Sequence, residues 1–154
     1  MIKVLVTVGT YRFDDLIKKI DHITSDNNLK FTCQIGNGHY EPKNCCFFRF
    51  TNSFNRVVDE SDLIITHAGA GTVYSLLEKG KNIIVIPNLE RVDKHQLEIA
   101  KFVCDNKYGL ACFDVSNLEA SIDKVRSFID TEKKGYRKDD FFKKNEILEF
   151  LGFE

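Results

Sequence analysis

Leu63-Ile64-Ile65-Thr66-His67-Ala68-Gly69-Ala70-Gly71-Thr72-Val73-Tyr74-Ser75-Leu76-Leu77-Glu78-Lys79-Gly80 is the stretch that decides the fold. Residues 63–66 read as a short strand. Residues 67–72 form a loop of small residues, and 73–79 form a helix that Gly80 ends. Residues 82–86 make the next strand, stopped by Pro87. Strand, tight loop, helix and strand in that order make a βαβ unit, whose crossover is right-handed.

Working outward, the same alternation continues. Residues 2–8 are a nearly continuous β-branched run, as expected of a strand buried on both faces. Phe13, Leu16, Ile17, Ile20 and Ile23 then recur at the spacing of one helix face. Residues 31–35 and 45–50 read as strands, with Gly36-Asn37-Gly38 turning the chain between them. Ser53 is placed to cap a short helix through Val57 and Val58. After Pro87, residues 94–106 are predicted helical, with Leu97, Ala100, Val103 and Cys104 facing inward. Residues 110–113 make a last strand, and Leu118, Ile122, Val125 and Ile129 trace another helix. The expectation is an α/β, Rossmann-like domain: a mostly parallel sheet with helices on both faces.

The tail departs from this pattern. In residues 132–154, Lys133, Lys134, Arg137, Lys138, Lys143 and Lys144 gather ahead of or among Phe141, Phe142, Ile147, Leu148, Phe150, Leu151 and Phe153. That apolar set covers more than one face of a helix, so an amphipathic C-terminal helix is expected to need a second surface. The domain's own sheet, a partner protein and a membrane are the candidates. The chain is accordingly divided into a domain over 1–131 and a tail helix over 132–154.

Composition bounds the function. With 154 residues, 43% hydrophobic and 29% charged, the chain is one ordinary globular domain. Twenty-two basic against 23 acidic residues give a net charge of −1, so no whole-chain field recruits nucleic acid or an anionic membrane. Apolar runs such as Ile83-Ile84-Val85-Ile86 fall far short of the ~20 residues that span a bilayer. Met1 leads straight into the first strand, so no signal peptide is expected. The five cysteines, Cys33, Cys45, Cys46, Cys104 and Cys112, make no Cys-x-x-Cys pair. They read as small core residues of a protein in a reducing cytoplasm.

In an open parallel sheet, ligands bind beyond the carboxyl ends of the strands. Two loops there suit an anion. Gly9 allows close backbone approach and Thr10 adds a hydroxyl. In the second, Gly69 and Gly71 let N–H groups face an anion at a helix N-terminus, Thr72 donates a hydroxyl bond, and His67 offers an imidazole N–H. Position 74 is Tyr74, not a third glycine, so the dinucleotide fingerprint fails, and no P-loop motif is present. A third segment, 88–96, is a polar loop opening a helix. Its Asp93, His95 and Gln96 suit sugar hydroxyls. By spacing alone, the glycine loop is equally an ordinary turn, His67 a structural histidine and segment 88–96 a solvated cap.

Three motifs together carry a resemblance: Val6-Thr7-Val8-Gly9-Thr10-Tyr11-Arg12-Phe13-Asp14-Asp15-Leu16-Ile17, Thr66-His67-Ala68-Gly69-Ala70-Gly71-Thr72, and Asp93-Lys94-His95-Gln96-Leu97-Glu98-Ile99-Ala100. Over residues 1–115 the chain resembles the C-terminal domain of family 28 glycosyltransferases, most of all their split catalytic subunits in lipid-linked glycan and exopolysaccharide synthesis. The resemblance implies the C-terminal, donor-binding half of a GT-B fold. It assigns Gly9 and Thr10 to the cleft loop, His67, Gly69, Ala70, Gly71 and Thr72 to a UDP diphosphate, and His95 and Gln96 to the donor sugar. Relatives carry an acid for the ribose where this chain has Ser75, with Glu78 one turn on. The implied reaction is inverting transfer of a sugar (GlcNAc, Glc, Gal or GlcA) from a UDP-sugar to a lipid-linked acceptor. His67 and Thr72 would stabilise the leaving group, with no metal or other cofactor. The implied partner is a membrane-anchored acceptor-binding subunit, which places the chain at the cytoplasmic face of a membrane. The general base is not assigned. Asp14 and Asp15 are near the first loop, but an acid in the first turn of a helix more often simply compensates the dipole. The rival reading is a non-catalytic nucleotide-sugar-binding or regulatory module.

Overall fold

The computed structural model describes residues 1–23, 28–89 and 95–136. Residues 137–154, which hold the apolar part of the expected tail helix, lie outside them, as do Asp93 and Lys94 of the third motif. Among the described residues, six strands form one sheet: β1 (Ile2–Thr7), β2 (Leu29–Gln34), β3 (Cys46–Phe48), β4 (Leu63–His67), β5 (Ile83–Ile86) and β6 (Leu110–Ala111). Five helices connect and follow them: α1 (Asp14–Ile23), α2 (Phe54–Asp59), α3 (Ala70–Glu78), α4 (His95–Asp105) and α5 (Leu118–Thr131). A 3-10 turn, Val115–Asn117, leads into α5, and the Asp114 carboxylate caps it by accepting the Ser116 N–H at 2.9 Å.

Every recorded strand pairing is parallel, in the order β3-β2-β1-β4-β5-β6. Burial on both faces explains the uninterrupted apolar strands. β5, Ile-Ile-Val-Ile, is buried at all its positions, and it lies second from the edge with helices above and below. Alternation along each strand divides the core in two. Val4, Val6, Phe31, Cys33, Ile65 and Ile84 pack with Leu16, Ile17 and Ile20 of α1 and Leu118 and Ile122 of α5. Leu5, Ile64, Ile83 and Val85 pack on the other face with α3, α4 and Val58 of α2.

Helix ends agree with local chemistry to within a residue or two. The Phe13 carbonyl accepts from Leu16 and Ile17, so Phe13 stands just outside α1 and staples it to the core. Ser53 is the N-cap of α2 but makes no side-chain cap bond. Its N–H instead donates to Thr51 Oγ1 at 3.0 Å. The cysteine expectation needs correcting. Cys33 and Cys112 are buried, but Cys45 is half-buried and Cys46 and Cys104 are exposed. In α4 the inward stripe runs through Gln96, Ile99, Ala100, Phe102 and Val103. Phe102 takes the flank expected of Cys104, because the larger ring packs on Tyr74 and Tyr108 at centroid distances of 5.9 and 5.8 Å.

Beyond α5 the chain crosses to the α3/α4 face. Lys133 Nζ donates to Asn82 Oδ1 at 2.7 Å and the Lys134 N–H to the Lys107 carbonyl at 2.8 Å. Tyr136 sets its ring edge-on to Tyr108, with centroids 5.2 Å apart. No described helix is long and apolar enough to cross a membrane.

Candidate functional site

The strand order turns back at β1. The chain runs outward to β2 and β3, then returns to the other side of β1 as β4. Such a reversal opens a crevice at the carboxyl edge, because the loops after the two adjacent strands lead to helices on opposite faces. Here those are the β1–α1 loop, with Gly9 and Thr10, and the β4–α3 loop, with Ala68 and Gly69. β1 and β4 run in register from Val4↔Leu63 to Thr7↔Thr66, so the loops leave the sheet at the same level.

His67, the last residue of β4, stands between them. A Cβ built on Gly9 would lie 3.0 Å from His67 Cε1 and 3.3 Å from Nε2. A Cβ on Gly69 would collide with Nε2 itself. The half-buried imidazole is thus packed between two glycines, and a side chain at either position would have to displace it. Gly9 is bound to glycine a second way, by a φ of +68°.

Gly69 is the N-cap of α3, at φ −76° and ψ 127°. It makes no side-chain cap bond, and the first turn holds no acidic residue. The N–H groups of Ala70, Gly71 and Thr72 are those an α-helix cannot satisfy internally, and the helix adds about half a positive charge there. Nothing lies within 4 Å of a Cβ on Gly71, so this turn is open on its outer side. Tyr74, where a dinucleotide fold would have its third glycine, is buried against Phe102 and Tyr136. Burial, with Tyr136 nearby, pushes its phenol up to about 12.

A cavity of about 210 Å³ continues from the open turn into the groove between α2 and α3. Thr72 and Ser75 of α3 and Lys79, its C-cap, line one side, and Phe54 and Asn55 of α2 the other. Lys79 Nζ closes its far end, 3.2 Å from Asn55 Oδ1 and 3.5 Å from Asp59 Oδ1. Ser75 belongs to this cavity. Glu78, exposed at the end of α3, does not line it.

The third segment, 88–96, arrives through β5. Of its residues, Asn88, Leu89, His95 and Gln96 are described. His95 opens α4 and is half-buried. Gln96 is only 4% exposed, and its Oε1 accepts the Asn88 N–H at 2.8 Å. Asn88 Nδ2 in turn donates to the Arg12 carbonyl at 3.0 Å, tying the β5 loop to the β1 loop. The three motifs therefore meet along one edge of the sheet.

Several residues hold the site in roles the sequence did not show. Gly36, at φ +54°, lets the β2–β3 segment press against the β1 loop, since a Cβ there would lie 2.6 Å from the Tyr11 carbonyl oxygen and 2.8 Å from that of Gly9. Asn37 Nδ2 donates to the Thr10 carbonyl at 3.0 Å. Arg49 clamps the segment by donating to the carbonyls of Gly36 and Gly38 at 3.1 and 2.8 Å. The Asp14 carboxylate accepts the N–H groups of His39 at 3.1 Å and Tyr40 at 3.3 Å, which gives it a structural task. Asp15 is exposed. A glycine pair around Asn37 was the available signal, but it reads as a turn until the neighbouring loop is in place.

The family model "Glycosyltransferase family 28 C-terminal domain" matches residues 3–149. The human UDP-N-acetylglucosamine transferase subunit ALG13 is 37% identical over 111 residues, 64% of this chain and 10% of that protein. A UDP-N-acetylglucosamine--N-acetylmuramyl-(pentapeptide) pyrophosphoryl-undecaprenol N-acetylglucosamine transferase of Prochlorococcus marinus is 33% identical over 86 residues, 54% of this chain and 22% of that protein. This chain thus spans about a tenth of the human relative and about a fifth of the bacterial one. The crystal structure of MurG from Acinetobacter baumannii superposes with a TM-score of 0.66 at 21% identity, covering 83% of this chain and 42% of that one. That likeness shows the fold, a Rossmann-like domain that matches less than half of the larger neighbour. A match running from residue 3 to residue 149 shows that the chain belongs to the glycosyltransferase family 28 C-terminal domain family.

Proposed function

We propose that this chain is the donor-binding half of an inverting glycosyltransferase, which moves a sugar from a UDP-sugar to a lipid-linked acceptor. One observation carries the reading: an imidazole held between Gly9 and Gly69 beside an uncapped helix N-terminus, at the point where the strand order reverses. The relatives' names, a UDP-N-acetylglucosamine transferase subunit and a transferase acting on a pyrophosphoryl-undecaprenol acceptor, support the donor and acceptor classes.

As the glycosidic bond breaks, negative charge grows on the departing UDP. Preoriented N–H dipoles stabilise such charge best, because they need no reorganisation at the moment of reaction. Ala70, Gly71 and Thr72 supply the N–H groups, Thr72 its hydroxyl and His67 an imidazole N–H. Gly9 and Thr10 close the near side. The nucleoside extends into the groove between α2 and α3, where Ser75 faces the ribose. His95 reaches the donor sugar. Gln96, its Oε1 engaged by Asn88, has its amide nitrogen left for the sugar. The reading calls for no metal, and the acceptor-side base lies outside the residues assigned here.

The acceptor-binding half comes from outside the described residues. We propose a membrane-anchored subunit that holds this chain at the cytoplasmic face, with the apolar tail as its docking segment. Turnover of UDP-GlcNAc, UDP-Glc, UDP-Gal and UDP-GlcA, with a lipid-linked acceptor and the co-expressed second subunit, tests the function. Transfer from one of them, lost in His67→Ala, is expected; binding without transfer would replace it with a nucleotide-sugar-binding module. Ser75 favours that second reading, since it puts a hydroxyl where a carboxylate would grip the ribose more firmly.

A further inference from the structure

Cys33 Sγ and Cys45 Sγ lie 3.6 Å apart, with one thiol donating to the other. Cys33 is a fully buried residue of β2, and Cys45 is half-buried in the bend just before β3. Nothing in the glycosyltransferase reading uses this pair. We infer that Cys33 and Cys45 form a peroxide-sensitive dithiol, closed by an intramolecular disulfide that pins the segment behind the Gly9–Thr10 loop.

Three features set this pair apart from the other cysteines. First, the sulfurs need approach by only about 1.5 Å to reach bonding distance. Cys45 precedes the β3 ladder, whose register begins at Cys46↔Thr32, so sheet pairing does not fix its backbone. Second, the bend carrying Cys45 is held in place by Asp21. Its carboxylate accepts the Tyr40 hydroxyl at 2.6 Å and the N–H groups of Lys43 and Asn44 at 3.0 and 2.7 Å. Third, the two thiols are unequal. The hydrogen bond to Cys45, with burial, pushes the Cys33 thiol far above the ordinary range, and the same bond holds the Cys45 thiol below it. Cys45, partly open to solvent, is therefore the sulfur that reacts first.

The chemistry balances with hydrogen peroxide as oxidant. The Cys45 thiolate attacks one peroxide oxygen, the O–O bond breaks, and a sulfenic acid forms with release of hydroxide, which a proton converts to water. Cys33 Sγ then attacks Cys45 Sγ, giving up its proton as the S–S bond forms. The S–O bond breaks, the thiol proton leaves with the hydroxyl as a second water, and both cysteines end oxidised by one electron each. The disulfide spans the segment containing Gly36 and Asn37, which contact the β1 loop.

Intact-mass measurement and peptide mapping of the whole folded chain after peroxide treatment test this. Exposed Cys104 serves as the internal standard for an ordinary thiol. The expected result is loss of two hydrogens, a Cys33–Cys45 cross-linked peptide and a reversible rise in Tm of about 5–10 °C. Cys46→Ser should form the same cross-link, and Cys45→Ser should form none. A cross-link through Cys46, over-oxidation of Cys45 to the sulfinic acid without a cross-link, or a wild-type pair still reduced when Cys104 is oxidised would overturn the inference. The readout is chemical, so a failure here leaves the donor-site reading standing, and the reverse also holds.

Discussion

Replacing Gly69 by alanine isolates what the glycine does for His67. Its backbone, at φ −76° and ψ 127°, is open to any residue, so the substitution brings no conformational strain. Alanine is a poorer N-cap than glycine, and folding stability should fall by about 1 kcal/mol, or about 2–4 °C in Tm. The larger effect is local, since the added methyl would occupy the space of His67 Nε2 and must turn the imidazole out of its slot. A hydrogen bond to a charged group contributes about 1.5–3 kcal/mol. At about 1.4 kcal/mol per decade, UDP affinity should fall about tenfold to about a hundredfold. Calorimetric titration of UDP into wild type, Gly69→Ala, His67→Ala and the double variant reads this directly. If the glycine acts through the imidazole, its substitution costs little once His67 is already alanine, and the cycle shows strong coupling. Wild-type affinity in Gly69→Ala, or full additivity in the double variant, would refute the reasoning.

Three other outcomes follow from the same geometry. Ser75→Glu puts a carboxylate in the cavity between α2 and α3, and should tighten UDP about two- to tenfold while leaving 2′-deoxy-UDP nearly unchanged, as measured by competition titration. Gly36→Ala meets both a φ of +54° and the carbonyl oxygens of Tyr11 and Gly9, so it should cost at least about 1–2 kcal/mol in chemical denaturation and weaken UDP binding by displacing the β1 loop. Asp21 governs part of the acid sensitivity. Burial alone would raise its pKa, but hydrogen bonds from Tyr40, Asn44 and Lys43 and the nearby His22 outweigh it and hold the carboxyl below its usual value. A carboxyl depressed in the folded state stabilises fully above its unfolded pKa of about 4, and the contribution is lost as pH falls through the folded value. Thermal melts between about pH 5 and pH 3 should therefore show wild type losing stability more steeply than Asp21→Asn; parallel curves would remove Asp21 from the account.

Much of this arrangement was legible in the residues. The β-branched run at 2–8 and the Ile83-Ile84-Val85-Ile86 strand declare a sheet buried on both faces, because such runs have no solvent side. The glycine loop after His67 announces its own position, since a strand end, small residues and a helix follow in one short stretch. Spacing could not tell whether that loop binds an anion or merely turns. The order of the strands was not written locally, and it is this order that sets Gly9 opposite Gly69. For the same reason Gly36 looked like a turn glycine, when its decisive neighbours are Tyr11 and Gly9. Gln96 read as a polar ligand, and its Oε1 also accepts the Asn88 N–H, a contact between elements that no window of sequence reveals. Cys104 failed for a simpler reason: α4 had a larger residue, Phe102, to offer the same flank.

The most direct measurement is titration of isotope-labelled chain with UDP, followed by backbone amide resonances. Saturable shifts are expected at Gly9, Thr10, His67 and residues 69–72, with smaller ones at Asn55 and Ser75. Shifts gathered instead at the opposite strand ends, around Lys3, Lys30 and Ser61, would contradict the donor-site reading.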